Sequence, residues 1–214
     1  MKINLITPAN KYTKNGNRTS IVRWARLLRS HGHNTQVNTE YDGYACDIMI
    51  ALHARHSAEA INRYKAKYPK GPLIVVLGGT DVNTFLKTDT SITLSAMEKA
   101  DALVCLHDQI GEALPQKLTK KLHTIIQSAE PLKQQRNPSK RNFDICVIGH
   151  LRDEKDPLRA AMAARLLNKS SKIRVFHLGK AHNDTWAIAA KKEQMENPRY
   201  HWLGEVTAGR VRRE

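Results

Sequence analysis

Short apolar runs alternate with helical patterns along the first 126 residues of the chain. Six of these runs have the length and composition of strands: Ile3 to Thr7, Thr35 to Val37, Asp47 to Leu52, Leu73 to Leu77, Ala102 to Leu106 and His123 to Ile126. Segments with helical periodicity separate most of them. This alternation predicts an α/β unit, a parallel sheet with crossover helices.

The first helix has the clearest pattern. Its apolar residues fall at i, i+3, i+4 and i+7, and they are Ile21, Trp24, Ala25 and Leu28. We expect Thr19 or Ser20 to cap this helix and Gly32 to help end it.

The alternation of strand and helix patterns is interrupted at residues 131–142 and resumes after them. Residues 131–142 are polar, basic and proline-containing, which is typical of a linker. Strand and helix patterns follow: Phe143 to Ile148, Leu158 to Leu167, Ile173 to Leu178, Trp186 to Glu196 and the stretch HWLGEV. We therefore predict a first domain at 1–130, a linker at 131–142 and a second domain at 143–214. The second has too few residues for a complete doubly wound domain, and the final TAGRVRRE resembles the start of another element.

Composition places the chain among globular proteins, with 41% hydrophobic and 26% charged residues. No segment is long and apolar enough to span a membrane, and the start has no signal-peptide pattern, so we expect a cytoplasmic protein. The three cysteines show no paired spacing for metal or redox chemistry. We expect all three to be small core residues.

A net charge of +15 predicts attraction for polyanions, nucleotides or phosphorylated substrates. The basic residues are spread along the chain, so a solvated basic surface explains the charge equally well. A nucleic-acid-binding α/β module is one hypothesis. It is weakened by an aromatic content of only 6%, because recognition of single strands depends on stacking.

Three candidate sites follow strands of the first domain, where ligands bind in open α/β sheets. Gly16 and Arg18, with Lys14, precede the first helix and suit a phosphate or carboxylate, although an ordinary connection would use the same residues. His53 and Arg55, with His56, follow the third strand. A histidine there could act as a base, or simply face solvent.

Thr80 and Asp81 follow two glycines in the run LGGTD, where a missing Cβ permits close approach of a ligand. A plain turn would use the same residues.

The second domain carries the strongest candidate site, in the stretch GHLRDEKDP after its first strand. Gly149, His150, Arg152 and Lys155 crowd the space ahead of the next helix, for which Asp156 and Pro157 are the predicted N-cap and first-turn residues. Positive side chains near a helix N-terminus interact unfavourably with its dipole, and an anion placed between them would relieve that repulsion. We therefore predict an anion site, with a solvated basic loop as the alternative.

At these residues the chain resembles the GT-B glycosyltransferases, in which a strand-Gly-x-Leu-x-x-x-Lys turn opens the second Rossmann-like domain. The stretch GHLRDEK fits that turn, with His150 at a position where the wider family has arginine. The resemblance is closer to the selenosugar synthases of selenoneine biosynthesis. It rests on YDGYACDIMIALHARHSAEAI, GGTD, ICVIGHLRDEKDPLRAAMAARLL, IRVFHLGKA and NPRYHWLGEV, among other stretches.

The resemblance implies a transferase that moves selenium from selenophosphate to the anomeric carbon of a UDP-sugar and releases UDP, and the expected UDP-sugar is UDP-N-acetylglucosamine. It implies no cofactor. His53 and Asp81 would be catalytic, and Gly16, Arg18, Arg55 and Thr80 would bind the acceptor. Gly149, His150, Arg152 and Lys155 would bind the nucleotide sugar. An ordinary GT-B transferase with a hydroxyl acceptor is the alternative enzyme.

Overall fold

The computed structural model describes residues 1–13, 16–129, 131–132 and 138–214, and these form two units, Met1–Ser128 and Ala129–Glu214. Lys14 and residues 133–137 of the predicted linker lie outside the described residues. Each unit has its own parallel sheet and its own apolar core.

The first unit is built on a six-stranded parallel sheet with the order β2-β1-β3-β4-β5-β6. Its strands are β1 (Lys2–Ile6), β2 (Asn34–Asn38), β3 (Ile48–Leu52), β4 (Leu73–Val76), β5 (Ala102–Cys105) and β6 (Leu122–Thr124). All six predicted runs are strands, and each observed end lies within two residues of the predicted one. The strand order reverses direction at β1 and β3, and ligands bind at such switch points in open sheets.

Helices cover both faces of this sheet. They are α1 (Gly16–Ser30), α2 (Ala58–Lys67), a π-helical turn (Asp81–Phe85), α3 (Leu86–Thr88), α4 (Thr90–Glu98), a 3-10 turn (Asp108–Ala113) and α5 (Gln116–Thr119). In α1, Ile21 and Ala25 are buried and Trp24 and Leu28 pack against them, as the periodicity predicts.

The predicted cap of α1 is wrong, because the helix begins at Gly16, one turn before its first buried residue. Thr19 and Ser20 therefore lie within the helix. Its end is as predicted, since Gly32 has a φ of +80°, which a residue with a side chain rarely adopts.

The second unit has a three-stranded parallel sheet in the order β7-β8-β9. It contains β7 (Phe143–Ile148), a 3-10 turn (Asp153–Lys155), α6 (Arg159–Arg165), β8 (Ile173–Leu178), α7 (Asp184–Glu196), β9 (Tyr200–Gly204) and α8 (Ala208–Arg213). Across the described part of the chain, no helix combines the length and apolar character needed to cross a bilayer.

The predicted start of α6 is wrong. Asp156 adopts a left-handed conformation with a φ of 43° and ends the preceding 3-10 turn, a geometry that aspartate tolerates. The helix begins at Arg159 and has only seven residues. Its buried face is formed by Leu158, Ala161 and Ala164, whereas the apolar side chains of Met162 and Leu166 are exposed.

The cysteines are not equally buried. Cys105 is buried, as expected of a small core residue, whereas Cys46 and Cys146 are only partly buried. None of the three is joined in a disulfide.

Candidate functional site

Three side chains in mutual contact, those of Asp81, His53 and Thr80, lie at the carboxyl edge of the first sheet. His53 directly follows β3, and Thr80 and Asp81 follow the neighbouring strand β4, so the parallel pairing brings them to one edge. Nδ1 of His53 lies 2.7 Å from Oδ1 of Asp81. On the other side of the ring, Nε2 lies 2.7 Å from Oγ1 of Thr80. The structure thus joins three residues from two separate sequence motifs.

Asp81 is completely buried and is held by backbone donors. Its Oδ2 accepts hydrogen bonds from the N–H groups of Ala54 at 2.9 Å and Gly78 at 2.8 Å. Its Oδ1 accepts one from the N–H of Arg55 at 2.9 Å. These three hydrogen bonds tie the end of β3 to the end of β4.

His53 is buried and held in an uncommon backbone conformation. Its side chain and backbone are only 3% exposed, and its φ is +77°. Residues other than glycine adopt this region at a cost, and such strain is concentrated at functional sites. Gly78 permits the ring to sit there, because a Cβ on that residue would lie 2.8 Å from Cδ2 of His53.

Aromatic and charged side chains surround the outer side of His53. The His56 ring lies 4.3 Å from the His53 ring and 5.1 Å from Phe85, measured between ring centroids. Partial burial lowers the pKa of His56, and the neighbouring His53 lowers it further. Arg55 pairs with Asp89 at 3.1 Å, so its side chain is held beside the site rather than pointing freely outward.

Gly16 and Arg18, the first pair of candidate residues, lie in the first turn of α1. This helix follows β1, whose carboxyl end is on the same edge of the sheet as those of β3 and β4. A Cβ at Gly16 would meet no atom within 4 Å, so no steric contact requires glycine there.

The second-unit turn, residues 149–155 after β7, is fixed by a contact with the end of β8. A Cβ on Gly179 would lie 2.5 Å from the carbonyl carbon of Gly149 and 2.9 Å from the nitrogen of His150. Only glycine allows the two chain segments to approach this closely. The N–H of Gly149 donates to Leu178 at 3.0 Å, which completes the contact.

A buried histidine supports the same turn. His177 is 0% exposed, and its Nε2 lies 3.0 Å from the carbonyl oxygen of Gly149. Its Nδ1 lies 3.0 Å from the hydroxyl of Tyr200. Burial lowers the pKa of His177, which favours the neutral ring that donates to Gly149 through Nε2 and accepts from Tyr200 through Nδ1.

The basic side chains of the second-unit turn differ in their partners. Nδ1 of His150 accepts a hydrogen bond from the N–H of Lys180 at 3.2 Å, and Arg152 lies 3.6 Å from Glu154. Lys155 is exposed, and within the described ranges it forms no ion pair. It is therefore the side chain of this turn that is most available to an anion.

Several residues of both sites were missed by sequence reasoning. His177, Gly179 and Tyr200 support the second-unit turn, and Phe85 and Asp89 border His53 and Arg55. The run IRVFHLG carries one usable signal, a histidine in an otherwise apolar strand followed by a glycine. In the residues that the structure describes, no group of three or more His, Cys, Asp or Glu side chains could hold a metal ion.

No protein-family model matches the chain, and no curated protein matches it. Several solved structures align with the chain over nearly its whole length. The lipopolysaccharide outer core galactosyltransferase WaaB, in its apo form, aligns with a TM-score of 0.63 at 13% identity, over 98% of this chain and 69% of its own. The Anabaena protein HepE, in complex with UDP and glucose, gives 0.57 and 12%, over 97% of this chain and 70% of its own.

AviGT4, a glycosyltransferase involved in avilamycin A biosynthesis, aligns with a TM-score of 0.61 at 13% identity, over 98% of this chain and 64% of its own. Identities this low establish similarity of fold. The chain has an α/β fold of GT-B type with two Rossmann-like units, and the second has three strands against six in the first. The predicted fold class is confirmed.

Proposed function

We propose that this protein is a glycosyltransferase that uses a UDP-sugar as donor. The observation that carries the proposal is the second-unit turn, which presents Lys155 at the carboxyl end of a parallel strand in a fold of GT-B type. Ligands bind at this end of the strands in open α/β sheets. HepE, which shares the fold, has been solved with UDP and glucose.

The donor diphosphate would lie against the second-unit turn. Gly149 has open space where a Cβ would stand, so a phosphate could approach its backbone. Lys155, with Arg152 and His150, would then neutralise the negative charge that grows on the departing UDP. The resemblance of GHLRDEK to the family turn supports the same placement.

The acceptor would bind on the first unit. We assign His53 and Asp81 as catalytic residues and Gly16, Arg18, Arg55 and Thr80 as acceptor-binding residues. From the resemblance to selenosugar synthases, the proposed acceptor is selenophosphate and the proposed donor is UDP-N-acetylglucosamine. The selenium of selenophosphate would attack the anomeric carbon of the sugar as the bond to UDP breaks, forming a carbon–selenium bond.

A hydroxyl acceptor is the second candidate, and the His53–Asp81 pair favours it. A hydroxyl must lose a proton as it attacks, and a buried histidine beside a carboxylate is suited to receive one. On this reading the enzyme is an ordinary sugar transferase of the same fold.

Calorimetric titration with UDP-N-acetylglucosamine and with UDP tests the donor site. We expect saturable binding that Lys155→Ala weakens about tenfold or more, the effect of losing one charged contact. Lys172→Ala is the matched control, because this exposed lysine precedes β8 at the opposite end of the same sheet. Equal affinity in the Lys155→Ala variant and the control would contradict the assignment.

Product analysis separates the two acceptors. The protein is incubated with the UDP-sugar and either selenophosphate or a panel of alcohols, and the products are identified by mass spectrometry. A carbon–selenium product supports the first candidate, and a glycoside supports the second. Binding of oligonucleotides with steep salt dependence, and none of UDP-sugar, would instead support a nucleic-acid-binding module.

A further inference from the structure

We propose that Thr80 is a proton relay between the acceptor and His53. This inference rests on the proposed function with a hydroxyl acceptor, its second candidate, and deepens it at the first-unit site. The starting observation is that His53, at 3% exposure, is too deeply buried for a substrate to reach its ring directly. Thr80 is only partly buried, and its hydroxyl lies 2.7 Å from Nε2.

The carboxylate of Asp81 determines which ring nitrogen carries the proton. Within the described residues, Nδ1 of His53 has no partner with hydrogen-bond geometry, but Oδ1 of Asp81 lies 2.7 Å from it. Two acceptors would repel each other at this distance, so Nδ1 must hold the proton. Nε2 of the neutral ring is then an acceptor, and the hydroxyl of Thr80 donates to it.

The path for the proton follows from this polarity. The acceptor X–H donates to Oγ1 of Thr80 while the Thr80 proton passes to Nε2 of His53. The freed electron pair on X forms the bond to the anomeric carbon of the UDP-sugar, and the electron pair of the breaking bond leaves with UDP. His53 becomes an imidazolium beside Asp81, and it later returns its proton through Thr80 to solvent or to the leaving group.

The surroundings of His53 suit this role. Asp81 stabilises the imidazolium directly, whereas Arg55 lies close to the site but is paired with Asp89. His56 covers the ring, and its own pKa is lowered, which favours the neutral form and limits repulsion of a charged His53. Glycine at position 78 prevents a side chain from pushing the ring away from Thr80.

The tautomer of His53 tests the relay without requiring turnover. Long-range ¹H–¹⁵N correlation spectra of the labelled protein, with His53→Asn for assignment, distinguish the two ring nitrogens. Asparagine is chosen because it tolerates a positive φ. We expect a protonated Nδ1 and an unprotonated Nε2, whose resonance shifts in Thr80→Val. A protonated Nε2 would overturn the relay, since that nitrogen could not accept from Thr80.

Kinetics test the same step in the working enzyme. Thr80→Val should lower kcat about 100-fold or more, the size of a lost proton transfer, with unchanged donor affinity. Thr80→Ser should restore most of the rate, and Thr84→Val, at an exposed threonine of the same π-helical turn, should not change it. Full activity of Thr80→Val would overturn the relay.

Failure of the proposed function has a different signature. The unsubstituted protein would then bind no UDP-sugar and release no UDP with any acceptor. In that case the relay fails together with the proposed function, whereas a protonated Nε2 in a protein that does release UDP would overturn the relay alone.

Discussion

Substitution of glycine by alanine should affect the stability of the second unit very differently at positions 179 and 149. Gly149 begins the motif that stands out in the sequence, yet a Cβ there would meet no atom within 4 Å. Gly179 has no such motif, but a Cβ there would lie 2.5 Å from the carbonyl carbon of Gly149. We therefore expect Gly179→Ala to damage the second unit and Gly149→Ala to leave its stability nearly unchanged.

The size of the effect follows from the displaced contacts. Carbon atoms pack best about 3.5 Å apart, and the carbonyl oxygen of Gly149 would lie nearer still to the new Cβ, so the ends of β7 and β8 would have to separate by at least about 1 Å. That movement would break two buried hydrogen bonds at Gly149, from its N–H to Leu178 and from His177 to its carbonyl oxygen. At about 1 kcal/mol for each bond and a further 1 kcal/mol for overpacking, the expected loss is about 3 kcal/mol.

Urea unfolding followed by tryptophan fluorescence measures this loss. The indole N–H of Trp202 donates to the carbonyl oxygen of Gly179 at 2.8 Å, so the probe lies at the substituted position. Gly149→Ala should change the free energy of unfolding by less than about 0.5 kcal/mol. It should still weaken UDP binding, because the new methyl group occupies the open space beside the backbone.

Equal stabilities of the two variants would refute this reasoning. So would a strongly destabilised Gly149→Ala with an unaffected Gly179→Ala. Either result would mean that the close approach of β7 and β8 does not determine the shape of the turn.

Two further predictions concern the histidines. Gly78→Ala should displace His53 and reduce turnover, because a Cβ at position 78 would lie 2.8 Å from the His53 ring. Gly79→Ala should do neither, because a Cβ at position 79 would meet no atom within 4 Å. Steady-state rates and the His53 nitrogen resonances measure both effects, and equal behaviour of the two variants would contradict the prediction. Stability should fall as the pH drops below about 6.5, because the pKa of His177 is lowered in the folded state and the unfolded chain binds the proton more readily. In urea titrations at several pH values, His177→Gln should reduce the dependence of the free energy of unfolding on pH, and an unchanged dependence would assign the effect to other groups. Tyr200→Phe should lower the free energy of unfolding by about 1–2 kcal/mol, because Nδ1 of His177 loses its donor.

Local pattern was sufficient for the fold class and most of the elements. The central strands β1, β3, β4 and β5 are mostly buried runs of four or five largely apolar residues, and this pattern can be read from consecutive positions in the sequence. The stripe of α1 is equally local, because the 3.6-residue period places Ile21 and Ala25 on one face whatever packs against them. The position of His53 and Asp81 after neighbouring strands also follows from parallel pairing.

The ends of helices were less predictable. The sequence around Asp156 and Pro157 has the composition of a helix start, but the left-handed conformation of Asp156 uses those residues to end a 3-10 turn. Both outcomes satisfy local propensity. The choice depends on the burial of Leu158 and Ala161 in the second core, which involves residues far along the chain.

Side-chain partnerships were decided only by tertiary structure. The sequence indicated His53, Thr80 and Asp81 as separate candidates, and the contacts that join them depend on the distance between the ends of two strands. It also drew attention to Gly149, whereas the residue that must be glycine for steric reasons is Gly179. Gly179 must be glycine because the backbone of Gly149, 30 residues away in the chain, lies against it at the ends of β7 and β8. Neither segment's own sequence predicts this contact.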